Sequence, residues 1–599
     1  MKTSRSVRWS TILLLILLPL LTVGSAAQEQ AKPTEDRKAV VSGELGAKLD
    51  QYLTRLARFG FSGAVLVAKD GKVLLQKGYG FADEQHGIAN TTQTAFDIAS
   101  LTKQFTATAI LKLESQGKLK TSDLISKYLP NIPADKTGIT IHHLLTHTSG
   151  FDADFTKGKN ITREQFVTEI LKMPLVAEPG KQHLYANSGY CLLAAIIEVV
   201  SNQPYHKFMA DLFGLAGMTN TGAYDDRERW QGVTVAHGYN DSTDNGLPTA
   251  RPGDWGVRGA YDALTTVGDL YKWITALRKE TLLPGAQVKK MFSAQVPTGE
   301  PGLDYGYGWL IGKTGKGKNR IHHDGSHFEG FNASCRIYPD DNVVVIMMTN
   351  RLFGRYLPIS GADPAINSIL FEGKTPAVPD AVNIEPNVLT PLAGNYVLPA
   401  EKNTASQLMV IAENDHLKIS AVGQDAIDML TAATPEERKL LANYNKRAEA
   451  VFSGIARGDF NVLSGELRQK AEAAEFKQAA EALWQRFETK HGTFKSIEPM
   501  GTVPETDAVM TYVKLNFERG SEYRRCRWEG GKLAYILQGA PPLLPTRFVP
   551  QSKTEFSGYH VVIGRAVKIR FDVDGDGKAI SLTYGFPVNG KTVTATKTQ

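Results

Sequence analysis

At 599 residues the chain is too long for a single small module and, at roughly 100 to 200 residues per domain, calls for several. Apolar residues make up 42% and charged residues 22%, the balance of a soluble globular protein rather than of a disordered or polytopic membrane chain. Lysine plus arginine exceeds aspartate plus glutamate by only 68 to 62, too little for the basic stripe that a nucleic-acid partner requires. The three scattered cysteines, Cys191, Cys335 and Cys526, form no CxxC and exclude a disulfide scaffold and the common zinc and iron-sulfur spacings.

The first residues predict export. Lys2, Arg5 and Arg8 precede an apolar run from Ile12 to Val23, and small residues Ser25, Ala26 and Ala27 follow, the order of a secretory signal peptide over residues 1–27. Pro19 breaks the run, which falls short of the roughly 20 residues needed to span a bilayer, so no stable membrane anchor is expected and the mature chain is placed in the periplasm or outside the cell. Further along, Leu45, Leu49, Leu53 and Leu56 keep helical spacing up to Arg58, and Asp70-Gly71 joins two apolar runs as a β-hairpin. Gln104 to Gln116 and Asn187 to Ser201 read as helices. Ser334 to Tyr338 and Asn342 to Thr349 read as strands around Pro339-Asp340-Asp341. Strands at both ends with helices between them predict an α/β layer domain over residues 40–374.

Pro376, Pro379 and Pro386 mark a linker at 375–387, beyond which the pattern turns mainly to strands. A stretch rich in Ala, Glu, Lys and Leu, broken at Gly458-Asp459, predicts two helices between about Pro435 and Lys490. The expected division is a β domain over 388–433 and 531–599, carrying an α+β insert over 434–530.

The chemistry concentrates in the first domain. Ser100 and Lys103 are three residues apart at the start of a predicted helix, which puts an amine beside a hydroxyl. A serine is a weak nucleophile until a base takes its proton, and a lysine in a suitable environment can do so. The spacing is weak evidence alone, because Ser115-Gln116-Gly117-Lys118 repeats it across a helix end. Two further motifs follow in order. Tyr185-Ala186-Asn187 precedes an apolar helix, offering a phenol to share a proton with Lys103 and an amide for a substrate carbonyl. His323-Asp324-Gly325 leads into Ser326, whose backbone N–H, with that of Ser100, can receive an oxyanion, while Gly325 lets a substrate approach the backbone closely.

With these motifs on one chain, the sequence resembles the serine β-lactamase and penicillin-binding-protein superfamily, most closely its class C-like branch of class C β-lactamases, family VIII carboxylesterases and D-stereospecific peptidases. Leu144 to Gly150, Gln116 to Leu119, Thr265 to Trp273 and Tyr305 to Trp309 add to the resemblance, which spans about residues 40–370. It implies a five-stranded antiparallel sheet flanked by helices, an all-helical lobe, and a site between them. Ser100 is then the acylated nucleophile, Lys103 and Tyr185 the shared base, and Asn187, His323, Gly325 and Ser326 the substrate-binding residues. Where β-lactamases commonly carry Lys-Thr-Gly, this chain has His323-Asp324-Gly325, which removes a fixed positive charge and resembles the esterase and peptidase members. The implied activity is hydrolysis of a small ester, a D-amino-acid peptide or a cell-wall fragment, with weak or absent β-lactamase activity and no cofactor or metal. The alternative is a catalytically silent protein that recognises peptidoglycan or a partner. The opening and close of the C-terminal region resemble a lipocalin-like β domain, and its insert resembles an NTF2-like fold.

Other patterns read as structure. His143 and His147 belong to a capped turn rather than a metal pair. Asp572, Asp574 and Asp576 lack the glutamate that closes an EF-hand loop and read as a hairpin turn, and Cys526 falls in a strand of exposed arginines.

Overall fold

The computed structural model describes Asp36 and residues 38–151, 161–240, 243–352, 358–399, 406–431, 433–459, 461–467, 473–504, 508–538, 546–560, 565–585 and 592–598. The leader expected at 1–27 lies outside the described residues. No helix among them is long and apolar enough to cross a membrane.

A nine-stranded antiparallel sheet organises the first region. Its strands are β1 (Val40–Val41), β2 (Gly63–Lys69), β3 (Lys72–Tyr79), β4 (Val296–Pro297), β5 (Leu303–Tyr305), β6 (Leu310–Lys313), β7 (Asn319–His327), β8 (Phe331–Tyr338) and β9 (Val343–Thr349). Their spatial order is β1-β3-β2-β9-β8-β7-β6-β5-β4. The sheet is therefore wider than the resemblance implies: short β1 borders one edge, and β4 to β6 extend it beyond β7. The helices needed below are α1 (Gly43–Arg58), α2 (Thr102–Ser115), α3 (Ile141–Leu145), α4 (Asn187–Ser201), α5 (Val267–Arg278) and α6 (Pro358–Glu372).

Strand alternation divides the interior. Ala64, Leu66 and Ala68 of β2 and Val344, Ile346 and Met348 of β9 face one apolar core, shared with α2, α4 and α5. Val65 and Val67, with Val343, Val345 and Met347, face another against α1 and α6. A strand buried on both faces explains the unbroken apolar run at 343–348. The second core also takes in Val378, Val549 and Tyr559 from beyond the first region.

After Glu372 the chain runs to the barrel strands β10 (Gly394–Val397), β11 (Gln407–Ala412) and β12 (Leu417–Val422). It then enters helices α7 (Pro435–Ala456), α8 (Asn461–Glu466) and α9 (Ala473–His491) and the sheet β13 (Phe494–Pro504), β14 (Val509–Phe517), β15 (Gly520–Glu529) and β16 (Lys532–Gln538). It returns through β17 (Thr546–Pro550), β18 (Glu555–His560), β19 (Arg565–Val573), β20 (Ala579–Gly585) and β21 (Thr592–Lys597), which with β10 to β12 close a barrel. One expected boundary moves: Lys532–Gln538, assigned from sequence to the β domain, pairs with β15 and completes the inserted four-stranded sheet. Gly530-Gly531, both at positive φ, make the tight turn that keeps it there.

The arginines around Cys526 are not an exposed row. Arg524 is buried against Glu522 (3.3 Å) and the Phe487 ring, because alternate β15 residues face the insert core. Burial pushes the Cys526 thiol pKa up, so its proton is held tightly. Asp574 lies in the β19–β20 turn, its Oδ1 accepting from the N–H groups of Asp576 and Lys578 as an Asx turn does.

Candidate active site

Ser100 lies on a single tight turn, Ala99–Leu101, immediately before α2. Ala99 is held at φ +44°, a conformation that costs a non-glycine residue about 1–2 kcal/mol and persists only where the surroundings enforce it. Here Asp97 Oδ1 accepts from the Ala99 N–H (2.8 Å) while Arg251 grips the other oxygen (2.7 Å), and Thr102 Oγ1 donates to the Ala99 carbonyl (2.7 Å). On the far side lies Gly325 of β7. A methyl group on it would sit 2.1 Å from the Ile98 carbonyl oxygen and 3.0 Å from the Ser100 nitrogen. Glycine is therefore a steric requirement there, and it brings β7 against the backbone of the nucleophile turn.

Lys103, on the first turn of α2, is fully buried. Its ammonium donates to Ser100 Oγ (3.1 Å), Asn187 Oδ1 (2.7 Å) and the Ala260 carbonyl (3.0 Å). A buried amine without such partners would be very costly, and Ser100, Asn187 and Ala260 each supply one. The Tyr185 ring covers it, its centroid 4.7 Å from Nζ, and Tyr190 of α4 lies on another side at 5.6 Å. Tyr185 itself is exposed, so it borders the lysine pocket on one side and solvent on the other.

Ser326 is exposed on β7 beyond His322, where the pairing with β6 ends. Its backbone on that side meets no sheet neighbour from β6, and Asn332 Nδ2 supports the turn of the chain by donating to the Gly325 carbonyl (2.8 Å).

His323 departs from expectation. It is 3% exposed and both its ring nitrogens point inward, Nδ1 donating to the Asp324 carbonyl (2.8 Å) and Nε2 accepting from Tyr305 Oη (3.0 Å). Burial and the neighbouring Lys103 charge lower its pKa to about 4, so the imidazole is neutral near pH 7. Both ring nitrogens are therefore taken up by internal hydrogen bonds. Motif spacing could not separate this from a direct contact with substrate, because it identifies a residue without its solvent exposure.

The same constellation contains residues that sequence reasoning left out. His147, read as part of a turn, lies under Tyr185 with ring centroids 4.2 Å apart. Its Nδ1 accepts from the Ala186 N–H (3.0 Å) and its Nε2 meets Tyr305 Oη (3.2 Å). Burial holds its pKa well below the usual imidazole range, with Lys103 next in effect. Only the Leu144–Gly150 and Tyr305–Trp309 matches hinted at these positions. His143 sits in a capped helix, but the cap comes from Thr140 ahead of it: the His143 Nδ1 and the Thr140 hydroxyl form a reciprocal cap on α3. Among the described residues no group of three His, Cys, Asp or Glu side chains is placed to hold a metal.

Comparison with known proteins shows the family. The family model described as Beta-lactamase matches residues 49–359. PbpX of Bacillus subtilis (strain 168), which carries a penicillin-binding-protein name, is 32% identical over 326 residues, covering 54% of this chain and 78% of PbpX. Penicillin-binding protein 4* of the same strain is 27% identical over 399 residues, covering 62% of this chain and 86% of its own. Among solved structures, the octameric penicillin-binding protein homologue of Pyrococcus abyssi aligns at 22% identity and a TM-score of 0.49, over 84% of this chain and 99% of its own. The family match takes in Ser100, Lys103, Tyr185, Asn187 and the β7 segment, and on this ground the chain belongs to the beta-lactamase family, a β-lactamase-fold family of serine hydrolases.

Proposed function

We propose that the protein is an exported hydrolase that cleaves ester or amide bonds through an acyl-enzyme on Ser100. The observation that carries this reading is the Lys103 contact: an amine fully buried, 3.1 Å from Ser100 Oγ and held in place by Asn187 and Ala260. With the Lys103–Tyr185 pair one proton short of ammonium plus phenol, Ser100 Oγ attacks the substrate carbonyl carbon as its proton passes to that pair. The backbone N–H groups of Ser100 and Ser326 receive the oxyanion. Collapse breaks the bond to the alcohol or amine, which leaves with the proton. Water then attacks the acyl-enzyme, releasing the acid and restoring Ser100. Asn187 holds Lys103 and borders the position of the substrate carbonyl.

The substrates proposed are a small ester, a D-amino-acid peptide or a cell-wall fragment, with β-lactam turnover weak or absent. A neutral, enclosed His323 supplies no fixed charge for a β-lactam carboxylate, and nearby Arg336 is already paired with Asp324 (3.2 Å) and Asp363 (3.0 Å). A fluorophosphonate probe followed by peptide mass spectrometry tests the reading. The expected adduct is on Ser100, with turnover of p-nitrophenyl esters or D-alanyl peptides exceeding that of a chromogenic cephalosporin. Labelling confined to any other residue overturns the assignment.

A further inference from the structure

A directed chain of hydrogen bonds runs behind the site. The backbone N–H of Ala186 can only donate, so His147 Nδ1 must accept (3.0 Å) and the neutral ring carries its proton on Nε2. That N–H donates to Tyr305 Oη (3.2 Å), leaving the phenol proton for His323 Nε2 (3.0 Å). With Nε2 accepting, His323 holds its proton on Nδ1 and donates to the Asp324 carbonyl (2.8 Å), which can only accept. The two backbone ends set Nδ1 as the acceptor on His147 and as the donor on His323, and with both rings neutral His323 Nε2 takes its proton from Tyr305. Tyr190, also beside Tyr305, directs its own proton to the Leu145 carbonyl (2.9 Å). All three members are buried.

The chain joins the two halves of the site. At one end Ala186 separates Tyr185 from Asn187. At the other, His323 lies two residues before Gly325 and three before Ser326 on β7. We infer that Tyr305, clamped between the neutral imidazoles of His147 and His323, is a positioning residue that fixes the Tyr185–Asn187 segment relative to the oxyanion strand. This rests on the acyl-enzyme reading above. A phenol between two neutral rings satisfies each partner once. Protonating His323 would turn a second N–H toward the Tyr305 oxygen and leave the phenol proton without its acceptor, so the arrangement works only with both rings uncharged.

Charged and titratable neighbours are known on all sides. His147 faces Tyr185 and Tyr190 beside and on α4, Tyr305 on β5, Lys103 on α2, and His183 and His323. His323 faces Tyr305, Tyr185, Lys103, Asp324 and His322, with Cys335 opposite on β8. Lys103 opposes protonation of both rings, whereas Asp324 is occupied by Arg336.

The test is Tyr305→Phe, which keeps the ring and removes only the hydroxyl, read by the rate of fluorophosphonate labelling of the full chain against pH. The expected result is a rate lower by roughly ten- to a hundred-fold, as a small misplacement of catalytic groups produces, with the acid limb of the profile moved to higher pH because neutral His323 has lost a donor. An unchanged rate and an unmoved acid limb overturn the positioning role. Ser100→Ala, run alongside, separates the two levels: if it still labels, the acyl-enzyme reading fails, and if it is silent while Tyr305→Phe behaves as wild type, only this inference fails. Nitrogen-15 histidine spectra of the wild-type protein give an answer independent of the variant's folding. Nε2–H at His147 and Nδ1–H at His323 support the chain of bonds, and the opposite tautomer at either ring, or a charged ring at pH 7, overturns it.

Discussion

Two Ser-x-x-Lys sequences stand at opposite ends of α2, and they differ in everything except spacing. Ser100 and Lys103 enter the helix from a strained turn, and the lysine passes into the interior, where three acceptors and two aromatic rings surround its ammonium. Ser115 and Lys118 leave it in solvent: Ser115 Oγ donates back to the Lys112 carbonyl (2.7 Å), and Gly117 at φ +71° turns the chain before Lys118. The motif is therefore a statement about distance along a helix. Reactivity depends on what excludes water and holds the amine, which only the first pair has.

The sharpest way to break this contrast is to remove each hydroxyl. Ser100→Ala is expected to lower turnover by at least about a thousand-fold and to abolish probe labelling, because a lost nucleophile in such enzymes costs several orders of magnitude. Ser115→Ala should leave both unchanged. Equal effects, measured as kcat/KM on one ester, would end the distinction.

Next come the groups around the first pair. Lys103→Ala and Tyr185→Phe should each slow acylation by roughly 10² to 10⁴. Their double variant should lose far less than the product of the single losses, since both serve one proton transfer. Single-turnover burst rates measure this, and multiplicative losses would mean that the two act separately.

A third experiment asks how far the surroundings of the site extend. A chain ending near Val378 keeps every residue of the constellation. It also uncovers the α1 face on which Tyr559 and Val549 pack, with Phe59 and Tyr559 ring centroids 5.6 Å apart. Losing two such buried side chains should destabilise the first region by about 3–6 kcal/mol. The expected outcome is a lower denaturant midpoint with Ser100 still labelled in the folded fraction. A folded chain that resists labelling would show that the barrel shapes the site.

The smallest effect is one of pH. His323 has a folded pKa of about 4 against an ordinary value of 6.5, so between these limits the unfolded chain binds a proton that the folded chain does not. Stability should therefore fall as pH drops from 6.5 toward 4, with this ring contributing up to about 1.4 kcal/mol per pH unit. His323→Gln should flatten that slope in urea titrations at pH 7, 6 and 5. An identical slope would mean that residue 323 is not held neutral.

Much of this was legible along the chain. Doubly buried strands announce themselves as apolar runs, as at 343–348, and Asp70-Gly71 and Gly117 are turn residues because their φ is positive. The inserted strand Lys532–Gln538 was misassigned because a strand's partner lies elsewhere in the sequence, and nothing local distinguishes pairing with β15 from pairing with the barrel. The linker at 375–387 read as a tether for the same reason. Its prolines are visible in sequence, whereas the burial of Val378 and the ion pair of Asp380 with Arg55 (2.9 Å) depend on a surface formed by α1.

By itself, then, the sequence determined the order of the chemical groups: a serine and lysine on one helix turn, and a tyrosine and asparagine at the mouth of another. Local spacing settles those, because it is a property of neighbouring residues, whereas the need for glycine at 325 comes from the Ile98 and Ser100 backbone that the fold brings against β7. Tertiary structure alone decided which lysine lost its water, that His323 faces inward, and that Tyr305, His147 and His323 share a single line of protons. Desolvation and hydrogen-bond direction arise from groups far apart in the chain, so they come into being only when the sheet, the helices and the turn at His147 close on one another.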